Sequence, residues 1–411
     1  MEPLRAGKRI MAKPLTVEVA IVGGGLAGLT AAIALASAGI ETALIARRAN
    51  ADHRTTALLI GSVTALDTLG AWAGCAAQAA PLRVMRIVDA TIRLVRAPEI
   101  RFAASEIGLE AFGHNIENRH LLASLDDRAR SLSPLIRFED EARAVETNES
   151  SATVTLKDGA KITARLVVGA DGRRSLCRTA AGIESAGHAY PQTALTFNLA
   201  HARAHQDTST EFHTESGPFT LVPLPGNRSS LVCVVEPSET ERIAALDEAA
   251  LNNEIEQRSH SIHGRIAVEP GRGVFPLAVE TARTFGKSRI ALVGEAAHLI
   301  PPIGAQGLNL GLRDAACIGE LVVSARRDGG DVGSSDLLSR YDALRRADVK
   351  SRTFAIDLLN RTLLSDFLPI QSARGFGLYL IDRIGPLRRA VMREGVAPAA
   401  SQPRLMRGEA L

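Results

Sequence analysis

The stretch Val17-Glu-Val-Ala-Ile-Val22-Gly23-Gly-Gly25-Leu-Ala-Gly28 runs from β-branched residues through closely spaced glycines into an alanine-rich segment, Leu26–Ala38. It reads as a buried strand, a tight turn and a helix, with Thr42–Ile45 as the next parallel strand of a βαβ unit. Gly23 permits the turn, Gly25 lets backbone approach a pyrophosphate, and Gly28 lets the helix sit close to the strand. At Leu26, Ala27 and Gly28 the helix start offers free N–H groups and partial positive charge to phosphates. A lone GxGxxG is a weak signal, but between a strand and a helix it points to a dinucleotide site. Val19–Ile40 also carries no charge for 22 residues, about the length of a membrane span. Its glycines, Gly23, Gly24, Gly25, Gly28 and Gly39, argue against one continuous helix.

The 411 residues predict two or three domains. Hydrophobic residues make up 46% and charged residues 23%, as in ordinary soluble proteins. A net charge of +3 and 4% aromatics speak against nucleic-acid binding. Cys75, Cys177, Cys233 and Cys317 are far apart and form no CxxC pair, so no metal site is expected and a reducing, cytoplasmic setting is. Residues 1–14 are basic, lack the apolar region of a secretory signal, and are expected to be disordered.

Outward from the first turn, helical patterns fall at Ala57–Leu69 and Asn118–Ala129, with short strands within Val84–Val95. Asp158-Gly159 reads as a hairpin turn between Ala152–Leu156 and Ile162–Leu166. Thr193–Val235 is strand-rich, Arg289–Val293 is a further strand, a helix begins near Gly307, and the pattern is mostly helical from Leu337. The predicted fold class is α/β. A discontinuous Rossmann-like nucleotide-binding domain (15–83, 113–185, 285–335) carries an inserted, mostly antiparallel β-sheet substrate domain (84–112, 186–284) and C-terminal helices (336–396).

Two further segments sharpen the reading. One is Ala164-Arg-Leu-Val-Val-Gly169-Ala-Asp171-Gly172-Arg-Arg-Ser175. The other is Arg289-Ile-Ala-Leu-Val-Gly294-Glu295-Ala-Ala-His298, continuing through Pro301-Pro302-Ile-Gly304-Ala-Gln306-Gly307-Leu308-Asn309 to Asp314. They resemble the DG and GD motifs of the FAD-dependent aromatic hydroxylases related to para-hydroxybenzoate hydroxylase. The resemblance implies FAD as cofactor, with Glu295 at a ribityl hydroxyl in place of the family's usual aspartate. It puts Pro302, Gly304, Gln306, Gly307, Leu308 and Asn309 around the flavin, where N–H groups at a helix start would stabilise negative charge on the reduced ring. Asp171 and Arg173 would lie near the flavin and the nicotinamide path. Asp52-His-Arg54-Thr-Thr-Ala-Leu58 and Asn118-Arg119-His-Leu-Leu122 resemble the family's arginine contacts, so Arg54 and Arg119 join the cofactor set. The acidic residue expected near position 46 is absent. Ala46 stands there, so backbone or Arg47 would meet the adenosine end. The Gly304-Ala-Gln-Gly307 order also departs from the family's usual order.

Gly217-Pro-Phe-Thr-Leu-Val-Pro-Leu-Pro-Gly226, Gly273-Val-Phe-Pro-Leu277, Leu338-Ser-Arg-Tyr341…Arg345 and Pro403-Arg-Leu-Met-Arg-Gly408 are similar to segments of the ubiquinone-biosynthesis hydroxylases. That branch implies a monooxygenase placing one atom of dioxygen, through a flavin C4a-hydroperoxide, on the ring of a polyprenylated quinone precursor. With no second GxGxxG, NADH or NADPH would bind transiently; a ferredoxin-type donor is the lesser alternative. No spacing identifies a catalytic acid or base. His298 is read as structural; His188 and His213, in the inserted sheet, could face a substrate, with a role in packing the commoner outcome. Phe367–Arg393 mixes apolar residues with arginines, which suits either peripheral contact with the inner face of a membrane or a helix packed on the nucleotide domain. A homodimer or a biosynthetic complex is also compatible with the sequence. The competing readings are a same-fold hydroxylase of a soluble aromatic metabolite and a non-catalytic FAD-binding scaffold of a quinone-biosynthesis complex.

Overall fold

In the computed structural model the described residues are 15–47, 52–92, 96–302, 305–364, 368–396 and 402–411. Gly304, Phe367 and the last three residues of Val84–Val95, all singled out above, lie outside them.

Leu15–Val22 is the central strand of a parallel sheet, paired with Lys161–Gly169 on one side and Thr42–Ile45 on the other. Ile290–Leu292 and Leu135–Phe138 extend the sheet outward, again in parallel. The register aligns Val22 with both Ile45 and Gly169, and Gly169 with Leu292. The three glycine-rich turns therefore leave the sheet side by side at its carboxyl edge, where open α/β sheets bind ligands. Leu26–Ser37 and Gln306–Arg327 form helices over this sheet, and Ile21, Ile33, Leu35, Leu44, Leu166, Val168 and Ile318 are buried between the layers. The Ala152–Leu156 hairpin pairs with Lys161–Ala164 as its alternation implies.

The second sheet is antiparallel except where Thr208–His213 runs parallel to Val84–Asp89. Its long strands, Ser185–His201, Pro218–Leu224, Arg228–Val235 and Gly273–Ala282, alternate sharply in facing. Leu195, Phe197, Phe212, Phe219, Leu221 and Leu231 form one face, packed against Ile243, Leu251 and Ile255 of two helices, Pro237–Ala244 and Glu248–Arg258. Those two helices lie inside the segment read as sheet. Pro237 at the start of the first, and Asp247 capping the second through Ala250 N–H, mark their starts. His298–Leu299 pairs with Thr281 and Glu280, so the third nucleotide segment also joins the second sheet.

The helix read at Ala57–Leu69 begins later, at Ile60. Thr55–Leu59 is instead a strand paired with Gly113–Glu117. Gly113 has φ +159°, and a Cβ there would sit 1.8 Å from the Leu58 carbonyl, so this pairing needs its glycine. A helical reading of Ala57–Leu59 from periodicity alone misses a partner that lies far away in sequence.

Beside the helix-covered face, His263 stacks on His201 with ring centroids 4.5 Å apart. Both ring nitrogens of His263 are buried without a hydrogen-bond partner. Burial, with the nearby His201, His205 and Arg86, pushes its pKa down to about 4. An unfolded imidazole titrates near about 6.5, so between about pH 6.5 and 4 the unfolded chain takes up a proton that the folded one does not. Stability should be full above that window, fall through it by about 3 kcal/mol, and level off below it. Denaturant unfolding across this range is expected to show that loss in the wild type, and His263→Phe should flatten most of it.

Candidate functional site

The first turn has the shape a diphosphate needs. Gly23 has φ +116°, and a Cβ there would lie 2.1 Å from the Ala170 carbonyl. A Cβ at Gly28 would lie 2.1 Å from the Gly23 carbonyl, whereas one at Gly25 would meet no atom within 4 Å. Gly23 and Gly28 are thus required by packing, while Gly25 faces open space. No side chain caps the helix that starts at Leu26, which leaves the first-turn N–H groups of Leu26, Ala27 and Gly28 for a ligand. Ala46 sits against Gly24, where a Cβ would come within 2.4 Å of its methyl. Among the described residues, Arg47 pairs with Glu141 at 3.8 Å, with 74% of its side chain exposed.

Asp171 adjoins the same turn, its N–H 2.9 Å from where a Gly23 Cβ would be. Its carboxylate accepts hydrogen bonds from Ser175 Oγ (2.6 Å) and Cys177 N–H (3.0 Å), closing the turn into Leu176–Ala180. The side chain therefore shapes the turn. Arg173 lies 3.5 Å from Glu280 at the rim of the second sheet.

In the third segment, Gly294 adopts φ +61° and its N–H donates to Asp314 Oδ2 at 3.0 Å. A Cβ on Gly294 would come within 3.3 Å of the Ala27 methyl, and one on Gly311 within 3.2 Å of Gly294 Cα. Ala27, Gly294 and Gly311 thus interlock the first and third motifs. Glu295 is exposed beside this contact. The hydrogen bond of Arg54 to Asp52, helped by the charges of Asp52 and Glu295, holds its guanidinium more firmly protonated than usual. Arg54 also lies over the Phe275 ring, 5.9 Å from its centroid, while Arg119 pairs with buried Glu117 at 2.8 Å. Both arginines stay half-exposed.

The helix Gln306–Arg327 starts without a side-chain cap from Ala305, which holds φ +54°, a left-handed conformation that costs alanine about 1 kcal/mol. Asn309 secures this start with four hydrogen bonds. Its Oδ1 accepts from Leu59 N–H (2.8 Å) and Ser62 Oγ (2.7 Å), and its Nδ2 donates to the Ala57 (2.9 Å) and Ala305 (2.6 Å) carbonyls. The Asn309 side chain is consumed in positioning, which leaves the helix-start N–H groups to face a ligand. Gln306 Oε1 accepts from Arg352 at 2.8 Å, Leu308 packs on the core, Gly307 faces open space, and Pro302 is exposed. Buried His298 donates to Asp314 at 2.6 Å, as a structural residue would.

The face of the second sheet turned away from the two helices holds a feature that no sequence spacing signals. Gly273, Thr196, Val232, Thr220 and Glu211 lie directly opposite one another on five neighbouring strands, and all five are half-exposed. Ala194 and Val234 on one side of this row, and Asn198 and Ser230 on the other, are buried. We infer that this partly exposed row, bounded on both sides by buried residues, is a shallow trough about 19 Å long at the usual strand spacing. It is tied to the nucleotide layer by Asn115, which donates to Ser230 Oγ (3.0 Å) and the Pro223 carbonyl (2.9 Å). Asn115 is itself opposite Ala57, the carbonyl that Asn309 holds. The trough therefore runs beside the helix start at Gln306.

Residues 16–353 match the FAD binding domain family. Ubiquinone hydroxylase UbiL of Rhodospirillum rubrum is 36% identical over 403 residues, covering 95% of this chain and 92% of its own. The 3-demethoxyubiquinol 3-hydroxylase of Escherichia coli is 30% identical over 386 residues, covering 92% of this chain and 97% of its own. In fold, the chain resembles p-nitrophenol 4-monooxygenase PnpA from Pseudomonas putida, with a TM-score of 0.77 and 17% identity over 94% of this chain and 100% of that one. The chain belongs to the FAD-binding family of aromatic monooxygenases and, within it, to the ubiquinone-biosynthesis hydroxylases.

Proposed function

We propose that this FAD-dependent monooxygenase hydroxylates the aromatic ring of a polyprenylated ubiquinone precursor, with NADH or NADPH as a transient electron donor. The observation that carries the reading is the trough beside the helix start at Gln306, in a chain whose relatives are named as ubiquinone hydroxylases. FAD supplies reduction by the nicotinamide donor and activation of dioxygen. The N–H groups of Leu26, Ala27 and Gly28 would face its pyrophosphate, Glu295 its ribityl chain, and those of Gln306, Gly307 and Leu308 the polar edge of its ring. Val232 and the Thr196 and Thr220 methyls would seat the substrate ring and exclude water from it. For the FAD-loaded protein, 2-farnesylphenol is expected to stimulate oxidation of reduced nicotinamide several-fold and to gain one oxygen atom from isotopically labelled dioxygen. No stimulation, or label arriving from water, would overturn the assignment.

The C-terminal helices support a finer reading, peripheral contact with an anionic lipid surface. In Gly385–Val396, Arg388, Met392 and Val396 turn inward. Arg388 pairs with Glu106 and lies 4.6 Å over Phe102, and the other two pack on Ala104 and Phe112. A neighbouring stripe is left outside, with Leu387 and Val391, together with Ile384 just before the helix, exposed by 40–44% and Phe376 on the preceding helix by 61%. Exposed Arg383, Arg389 and Arg393 flank it. No helix among the described residues is long and apolar enough to cross a membrane, and such a stripe suits lying on one. Co-flotation with phosphatidylglycerol vesicles, weakened by salt and abolished by Leu387→Glu with Val391→Glu, is the expected result. Flotation that survives the double substitution would contradict it.

A further inference from the structure

The trough is not uniform, because its floor is glycine, threonine and valine until it reaches Glu211. Glu211 Oε1 accepts a hydrogen bond from His213 Nε2 at 2.8 Å, and Oε2 accepts from Thr220 Oγ1 at 3.3 Å. His213 is two residues further along the same strand and therefore on the same face. Its side chain is only 4% exposed, whereas that of Glu211 is 21% exposed. The carboxylate thus fronts the trough with the imidazole buried behind it. Burial would raise the Glu211 carboxyl, but the hydrogen bond and charge of His213 outweigh it, with help from Thr220, and hold it below the usual carboxylate range.

The acidic groups around the pair are otherwise engaged. Asp89, opposite His213 on the neighbouring strand, accepts hydrogen bonds from Thr91 and from Ala97 N–H, and Glu215 accepts from Ile92 N–H. Arg86 pairs with Glu99, and its position opposite Thr210 puts it on the other face. A carboxylate at the end of an otherwise neutral row is partly desolvated and costly to keep.

We propose that Glu211, held by His213, is the proton acceptor for the phenolic hydroxyl of the ring substrate. This rests on the hydroxylase reading above. The ring lies over Val232 and Thr220 with its hydroxyl at Glu211. The O–H bond breaks, the proton passes to the carboxylate, and the electron pair stays on the phenolate oxygen. The ring becomes richer in electrons with no change in oxidation state, and the proton returns to that oxygen when the product leaves. Displacement of water by the docked ring raises the basicity of the carboxylate when it is needed. His213 keeps the carboxylate aimed along the trough.

The test uses the full-length FAD-loaded protein, with 2-farnesylphenol and its O-methyl ether as probes, from neutral to alkaline pH. Glu211→Gln keeps the size and the hydrogen bond to His213 but removes the base. It is expected to lower kcat for the phenol about 100-fold at neutral pH, with unchanged FAD content and melting temperature. The loss should shrink as the phenol ionises in solution, and Glu211→Asp should recover most of the rate. The methyl ether, which has no proton to lose, should show the same low stimulation in wild type and Glu211→Gln. A Glu211→Gln enzyme within about twofold of wild type, or a loss that pH and Glu211→Asp leave untouched, overturns the assignment of Glu211 alone. A wild type unstimulated by the phenol overturns the hydroxylase reading itself.

Discussion

The buried carboxylate of Asp314 holds the nucleotide-binding edge together. It is fully enclosed and accepts hydrogen bonds from Gly294 N–H, His298 Nε2 and Arg345 Nε. Those partners belong to the turn after Ile290–Leu292, the short strand that joins the second sheet, and the helix Ser335–Leu364. Burial alone would raise the Asp314 carboxyl, but the charges of His298 and Arg345 hold it below its ordinary value. The ion pairs continue through Arg345 to Asp348, which also binds Arg313 and Arg352, and Arg352 reaches Gln306 at the helix start. Buried ion pairs add little net stability, but breaking one by removing a partner costs about 3–5 kcal/mol. Both ends of the third motif are fixed by the same ladder.

Two amide side chains then couple that edge to the second sheet. Asn309 clamps the helix start to Ala57–Ser62, and Asn115, paired with the same strand, reaches Pro223 and Ser230. Lower down, Arg228 joins Glu117 to Glu269. The trough lies immediately past this seam. Its distance from the glycine turns is set by hydrogen bonds and ion pairs, with the apolar cores of the two sheets kept separate.

The nucleotide layer was legible in sequence because its glycine motifs announce their own turns, although Gly23 and Gly294 pack against Ala170 and Ala27, far away in the chain. Gly23, Gly28 and Gly294 each answer to a neighbour within one turn or an adjacent strand end, and the aligned register follows from the βαβ rule. The role of Asp314 was not legible, since Arg345 lies 31 residues away and no spacing announces a buried ion pair. Ala57–Leu59 reads as helix from its pattern because its strand partner is remote. Asn309 and Asp171 stood among the expected cofactor contacts, yet their side chains are spent on the turns themselves. His213, left by the sequence between packing and facing a substrate, is buried, but its partner Glu211 falls in line with four residues from other strands, and only strand register reveals that row.

The most direct test is FAD retention by Asp314→Asn, a change of one atom in the side chain. An amide keeps the volume but not the charge that pairs with Arg345. If this carboxylate organises the flavin edge, the variant should lose about 3–5 kcal/mol of stability. It should also bind FAD at least roughly tenfold more weakly, read by flavin fluorescence, a change of about 1.4 kcal/mol. An Asp314→Asn protein with wild-type stability and wild-type FAD affinity would contradict the account.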